Sequence, residues 1–398
     1  MQKDVVPRLQ RIYAGVFGSG LGHITRILSI AQRIQNELGV ELLYSTFDEA
    51  LDLLESLHEH VVHSPSVGVK WNITGGFSGS DTLVRFPAYL FTFSRQTAFE
   101  AERISGFNPR VVLSDSRLST LFAAKARLYP AVTILNQFKI LFPPRFRRQR
   151  LSLFFERIES DVLGLLWSLS NEVLFPDLPP PYTLGEANVA GTDVAGKVKF
   201  TGFMSPKIKS MSLEEAVQIK RLLGFDSRPI VFMQISGPEP TKPPFIESAV
   251  KSAQLLSEEF NIVISKGVPF GSTMPSKLRN GVWVYDWCPI KDQLFLLSNM
   301  LVARAGHTTL SQCVENAKPA VVVPIYNHSE QLWNAEKFEK MGQGLAIRSE
   351  DLNPNRLAEY VRRCYSDPSY LENTEKLQSI SKKYDGIGTT IEILKEFL

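Results

Sequence analysis

Short apolar runs recur along the chain, each followed by a stretch whose apolar residues return every three or four positions. In the first half, residues 12–17 (IYAGVF), 40–45 (VELLYS), 111–115 (VVLSD) and 131–136 (AVTILN) are apolar enough to predict strands buried on both faces. The stretches RILSIAQRIQNEL and STLFAAKARL between them have the period of amphipathic helices. After a strand-like VKFTGF (198–203) and a polar helical stretch, SLEEAVQIKRLLGF, the alternation starts again. Residues 229–236 (PIVFMQIS), 260–267 (FNIVISKG), 282–287 (VWVYDW), 300–306 (MLVARAG) and 319–325 (PAVVVPI) predict strands. Helices are predicted over IESAVKSAQLLSEE, IKDQLFLLSN and TLSQCVENA.

Strands that alternate with helices predict a parallel sheet covered on both sides. Two such series predict an α/β protein of two Rossmann-like, doubly wound domains, at 1–203 and 230–375, with a linker at 204–229. The segment 376–398 is expected to be helical and placed to pack back on the first domain. No short-period repeat is present. Ligands of open α/β sheets lie beyond the carboxyl ends of the strands, so a site in the cleft between the two sheets is expected.

The 398 residues, 44% hydrophobic and 21% charged, suit two folded domains. A net charge of +3 gives no bulk attraction to nucleic acid, and no nucleic-acid partner is expected. Three scattered cysteines (Cys288, Cys313, Cys364), with no C-x-x-C, exclude a disulfide framework or zinc knuckle and fit a reducing compartment. The amino-terminal stretch lacks the apolar core of a signal peptide, and no run approaches the roughly 18 apolar residues of a spanning helix. A cytoplasmic protein is expected.

The loop GSGLGH (18–23) follows the first strand. His23 occupies the third glycine position of a dinucleotide fingerprint, and no G-K-[ST] follows, so neither a Rossmann dinucleotide site nor a P-loop is read here. Gly18, Gly20 and Gly22 permit a tight turn and close approach of a substrate. They set His23 at the amino end of a helix, where an imidazole can act as general base. Asp115 ends a strand of the same domain and reaches the same edge. It is a candidate to orient His23, although an aspartate there is also an ordinary helix cap.

The second half carries DWCPIKDQLFLLSNMLVARAGHTTLSQCVENAKPAVVVPIYNHSEQLWNA. This stretch resembles the donor-binding segment of GT-B nucleotide-sugar glycosyltransferases. It is similar in style to the bacterial peptidoglycan N-acetylglucosaminyltransferases and to UDP-glucosyltransferases. GSGLGHITR resembles the acceptor-side glycine loop of the same families. In RAGHTTLSQ, a strand end and Gly306 precede hydroxyl-bearing residues that open a helix. Amides and hydroxyls near His307, Thr308 and Thr309 are expected to bind a diphosphate there, without a metal or cofactor. No D-x-D motif is present.

The resemblance implies that Trp287 stacks on the base and that the Ile290 backbone meets its edge. It sets Gln312 where a glutamate usually binds the ribose, so the charge-assisted part of that bond is absent. Glu315, a turn further on, is placed to compensate, although a solvated helix face is the expected role. Glu330 and Gln331 match the pair that holds the sugar hydroxyls, with Asn334 supporting the loop. Ser236 and Gly237, in QISGPEP, are candidate phosphate or acceptor contacts, where Pro238 removes one amide donor.

The segment 137–155 (QFKILFPPRFRRQRLSLFF) interleaves Lys139, Arg145, Arg147, Arg148 and Arg150 with Phe138, Phe142, Phe146, Phe154 and Phe155. Apolar anchors among cations suit peripheral contact with an anionic membrane through 138–155, whereas a helical lid with solvated arginines fits the same pattern. The resulting expectation is a metal-independent transferase that moves a hexose or N-acetylhexosamine from a UDP-sugar to a hydroxyl acceptor, a lipid-linked one included. A UDP-sugar 2-epimerase or a non-catalytic UDP-sugar-binding protein on the same fold stays open.

Overall fold

A computed structural model describes residues 10–66, 79–139, 141, 150–189, 197–269 and 271–398. Among these, the strands form two seven-stranded sheets. The first contains β1 (Arg11–Val16), β2 (Glu41–Thr46), β3 (Val61–His63), β4 (Val111–Asp115), β5 (Ala131–Ile134), β6 (Glu172–Phe175) and β7 (Val198–Phe200). Its strands are all parallel, in the order β3-β2-β1-β4-β5-β6-β7. The second contains β8 (Ile230–Gln234), β9 (Asn261–Ser265), β10 (Ser276–Arg279), β11 (Val282–Tyr285), β12 (Met300–Ala303), β13 (Ala320–Val322) and β14 (Gly344–Ala346). Its order is β10-β11-β9-β8-β12-β13-β14, parallel except for the edge hairpin β10–β11. Each sheet reverses its winding beside its first strand, between β1 and β4 and between β8 and β12. These are the switch points at which open α/β sheets bind ligands.

Both faces of each sheet are covered. In the first, the helix Gly22–Leu38 buries Ile24, Ile27, Ile30, Ala31 and Ile34 along one stripe against β1, β2 and β4. Burying each isoleucine stabilises the domain by about 1.5–3 kcal/mol. The terminal helix Gly386–Lys395 joins the same core through Ile387, Ile391 and Leu394. Arg33–Asp385 (2.7 Å) and Lys395–Glu37 (3.2 Å) tie its ends to the helix Gly22–Leu38. The opposite face packs Ala101 and Ile104 of the helix Gly79–Phe107 with Leu121, Ala123 and Ala124 of Leu118–Ala126.

Four strands lie outside the apolar runs of the sequence. β10 (SKLR) is exposed throughout, β3 and β14 have three residues each, and β6 (EVLF) sits in the irregular-looking region 138–182. That region also contains the helix Arg150–Trp167. Phe138 is not a surface anchor. It is fully buried in the first domain, with its ring 5.8 Å from Phe175. Phe142, Arg145, Phe146, Arg147 and Arg148 lie outside the described residues. Phe154 and Phe155 are exposed. No described helix is long and apolar enough to cross a membrane.

Candidate active site

β1 ends at Val16, and the chain then turns through residues 17–21 into the helix that begins at Gly22. A Cβ at Gly18 would run into Phe47, so glycine is required there for packing. Gly20 needs it for its backbone, with φ at +83°, and its amide meets Glu49 Oε2 at 3.3 Å. A Cβ at Gly22 would lie 3.3 Å from Thr308 Oγ1 of the other domain. The amino ends of the helices Gly22–Leu38 and His307–Glu315 therefore face each other across the cleft, each at its sheet's switch point.

His23 occupies the first turn and is partly exposed. Its Nδ1 lies 2.7 Å from Asp115 Oδ1, and its ring makes an edge contact with Phe17. Asp115, at the end of β4, is fully buried and has a second partner that sequence reasoning missed. Arg26 donates to it in a fork, Nε to Oδ2 at 2.9 Å and Nη2 to Oδ1 at 2.6 Å, while Nη1 reaches Asn136 Oδ1. Burial alone would push the Asp115 carboxyl up. The charges of Arg26 and His23, with their hydrogen bonds, outweigh burial and hold it below its usual range. The signal for Arg26 was present in HITR, because positions three apart share a helix face. With Asp115 accepting at Nδ1, His23 Nε2 is left to accept a proton.

In the second domain, Gly306 caps the helix His307–Glu315 with φ −72° and ψ 140°, which any residue adopts. A Cβ there would meet nothing within 4 Å. Neither backbone nor packing asks for glycine, and the open space lies against the amides of a helix start. Thr308 and Thr309 occupy its first turn and are partly exposed. The His307 ring turns away and is buried. Its Nε2 lies 3.0 Å from Asp177 Oδ2 in the loop after β6 of the first domain. Asp177 also accepts from the amides of Leu178 (2.7 Å) and Gly185 (2.8 Å). No pattern in the sequence points to this bond between the domains.

Gln312 donates to the Pro206 carbonyl of the linker at 3.2 Å. Glu315 is not on a solvated face. Its carboxyl bonds Ser205 (2.5 Å) and is pushed up by burial, so it braces the linker. Trp287 is about one-third exposed, and Ile290 caps the helix Lys291–Leu297 with its side chain partly buried against the core. Glu330 and Gln331 fall in the first turn of the helix Ser329–Lys340, capped by His328. Gln331 Oε1 accepts from the Ile325 amide at 3.0 Å, and Asn334 donates to Ala305 at 3.4 Å. Ser236 and Gly237 follow β8, with Gly237 at φ +106° against Ile325.

Arg304, also missed, follows β12 as a buried cation that donates to the carbonyls of Thr241 (2.6 Å) and Val323 (3.1 Å). Burial lowers its pKa to about 10, and its Nε has no partner. Its guanidinium also lies over the Phe245 ring, 4.7 Å from the centroid.

Residues 244–389 match the family model of the glycosyltransferase family 28 C-terminal domain. The chain is 24% identical over 402 residues to an uncharacterized glycosyltransferase of Methanosarcina acetivorans, covering 97% of this chain and 98% of that one. It is 24% identical over 392 residues to the UDP-N-acetylglucosamine–N-acetylmuramyl-(pentapeptide) pyrophosphoryl-undecaprenol N-acetylglucosamine transferase of Lactobacillus helveticus, covering 95% and 97%. Among solved structures, the glycotransferase of kitacinnamycin superposes with a TM-score of 0.70 at 18% identity, covering 98% and 100%. The architecture is that of the GT-B fold. The protein is a glycosyltransferase.

Proposed function

We propose that the chain transfers a hexose or N-acetylhexosamine from a UDP-sugar to a hydroxyl acceptor without a metal. The observation that carries this reading is the juxtaposition of Gly22 with Thr308. It brings the His23–Asp115 pair and the open helix start at Gly306 to opposite walls of one cleft. In the proposed step, the acceptor oxygen bonds to the anomeric carbon and its proton passes to His23 Nε2. The bond from that carbon to the diphosphate oxygen breaks, and its electron pair leaves with UDP. The amides and hydroxyls of residues 307–309 bind the departing charge. Trp287 and Ile290 take the base, Gln312 the ribose, Glu330 and Gln331 the sugar, and Ser236 and Gly237 the neighbouring wall. The relatives reported above are transferases, which supports transfer over epimerisation or binding alone.

For the acceptor, we propose a lipid-linked alcohol met at an anionic membrane surface on the cytoplasmic side. Phe154, Phe155, Ile158, Val162 and Leu165 are all exposed along the helix Arg150–Trp167, and the sequence before it is basic. The test of the transfer step is His23→Ala, assayed by UDP release from UDP-glucose and UDP-N-acetylglucosamine with short-chain lipid alcohols. Transfer is expected to fall about 10²- to 10⁴-fold, with UDP affinity unchanged. Equal losses in both would remove His23 from the chemistry.

A further inference from the structure

We propose that Arg26 is a positioning residue of this site, holding Asp115 as a charged acceptor in one fixed rotamer for the Nδ1–H of His23. The inference rests on the reading of His23 as base. Asp115 has no exposure, and its two oxygens are divided among only two side chains, His23 and the Arg26 fork. The fork occupies both oxygens, so the carboxylate cannot rotate without breaking a charge-assisted bond. The same guanidinium is tied to Asn136 after β5, and it comes from the helix turn that carries His23. One side chain thus registers three elements: the helix, the end of β4 and the end of β5.

The second consequence is electrostatic. A carboxyl without solvent takes up a proton unless a cation opposes it, and a protonated Asp115 would no longer anchor the Nδ1–H tautomer. Arg26 is the largest of the influences that lower the Asp115 pKa, while burial raises it. The other charged groups near His23 do not replace it. Asp48 and Glu49, from the adjoining helix, bond Ser19 and the Gly20 amide, and His307 of the facing domain is held by Asp177. Arg26 Nη2 also lies 3.2 Å from His23 Nδ1.

The test compares Arg26→Gln and Arg26→Lys in the full chain, with thermal melts as folding control. In wild type at pH 8, nitrogen-15 histidine spectra, with His23 assigned through His23→Gln, are expected to show the Nδ1–H tautomer. Arg26→Gln should lose that tautomer and lower UDP release about 10²-fold. Arg26→Lys keeps the charge and should keep the tautomer. Asp115→Asn should make Arg26→Gln nearly silent, since the two act through one contact. The proposal is overturned if Arg26→Gln keeps the tautomer, if its effect adds to that of Asp115→Asn, or, should Arg26→Gln not fold, if Arg26→Lys loses the tautomer. Failure of the base reading would look different: His23→Ala would release UDP at the wild-type rate whatever occupies position 26.

Discussion

Gly306 offers a separation of stability from binding that few positions allow. Its φ of −72° and ψ of 140° suit any residue, and an added Cβ touches nothing within 4 Å. In Gly306→Ala the unfolded chain loses freedom, which stabilises the fold by about 0.4–1 kcal/mol. Alanine is a poorer amino-terminal cap than glycine by about the same amount. The two terms nearly cancel, so the melting temperature should stay within about 2 °C of wild type. Gly306→Ser supplies a cap oxygen for the amide of Thr309 and should be the more stable, by about 0.5–1 kcal/mol. If a diphosphate approaches this backbone, either side chain crowds it at a cost of about 1–3 kcal/mol. That corresponds to UDP binding roughly 5- to 150-fold weaker, while uridine binding should change little. Titration calorimetry with UDP, uridine and each variant measures both affinities, and a thermal scan measures stability. Wild-type UDP affinity in both variants would refute a phosphate at this helix start.

Asp177→Ala removes the acceptor of two buried amides and of the His307 ring; at about 1–3 kcal/mol for each buried group left unpaired, the urea midpoint should fall by an amount worth about 3 kcal/mol or more. An unchanged midpoint would mean that this bond does not hold the domains in solution. Phe154→Ser with Phe155→Ser should weaken sedimentation with phosphatidylglycerol-containing vesicles by at least about tenfold and leave the melt unchanged, because both rings are exposed. Wild-type protein that fails to sediment with such vesicles would end the membrane reading.

The two-sheet layout was legible because β1, β4, β8 and β12 are central and buried on both faces, which imposes unbroken apolar runs. Edge strands escape that demand. β10 has no buried residue, and the three residues of β14 carry no period that a window can detect. In the candidate site, glycines and a strand-end aspartate mark themselves by backbone geometry and position. Arg26 looked like any solvated arginine on an amphipathic helix until β4 and β5 supplied its acceptors. Asp177 and His307 lie 130 residues apart, and only the packing of one domain on the other makes them partners.

The approach of Gly22 to Thr308 has an energetic side. Two helices point the same end at one another, so their partial positive charges, about half an elementary charge each, oppose closure of an empty cleft. A doubly negative guest seated between them turns that repulsion into attraction from both walls. Loading of the proposed nucleotide would then itself draw the halves together, and departure of its spent diphosphate would be slowed by the same grip.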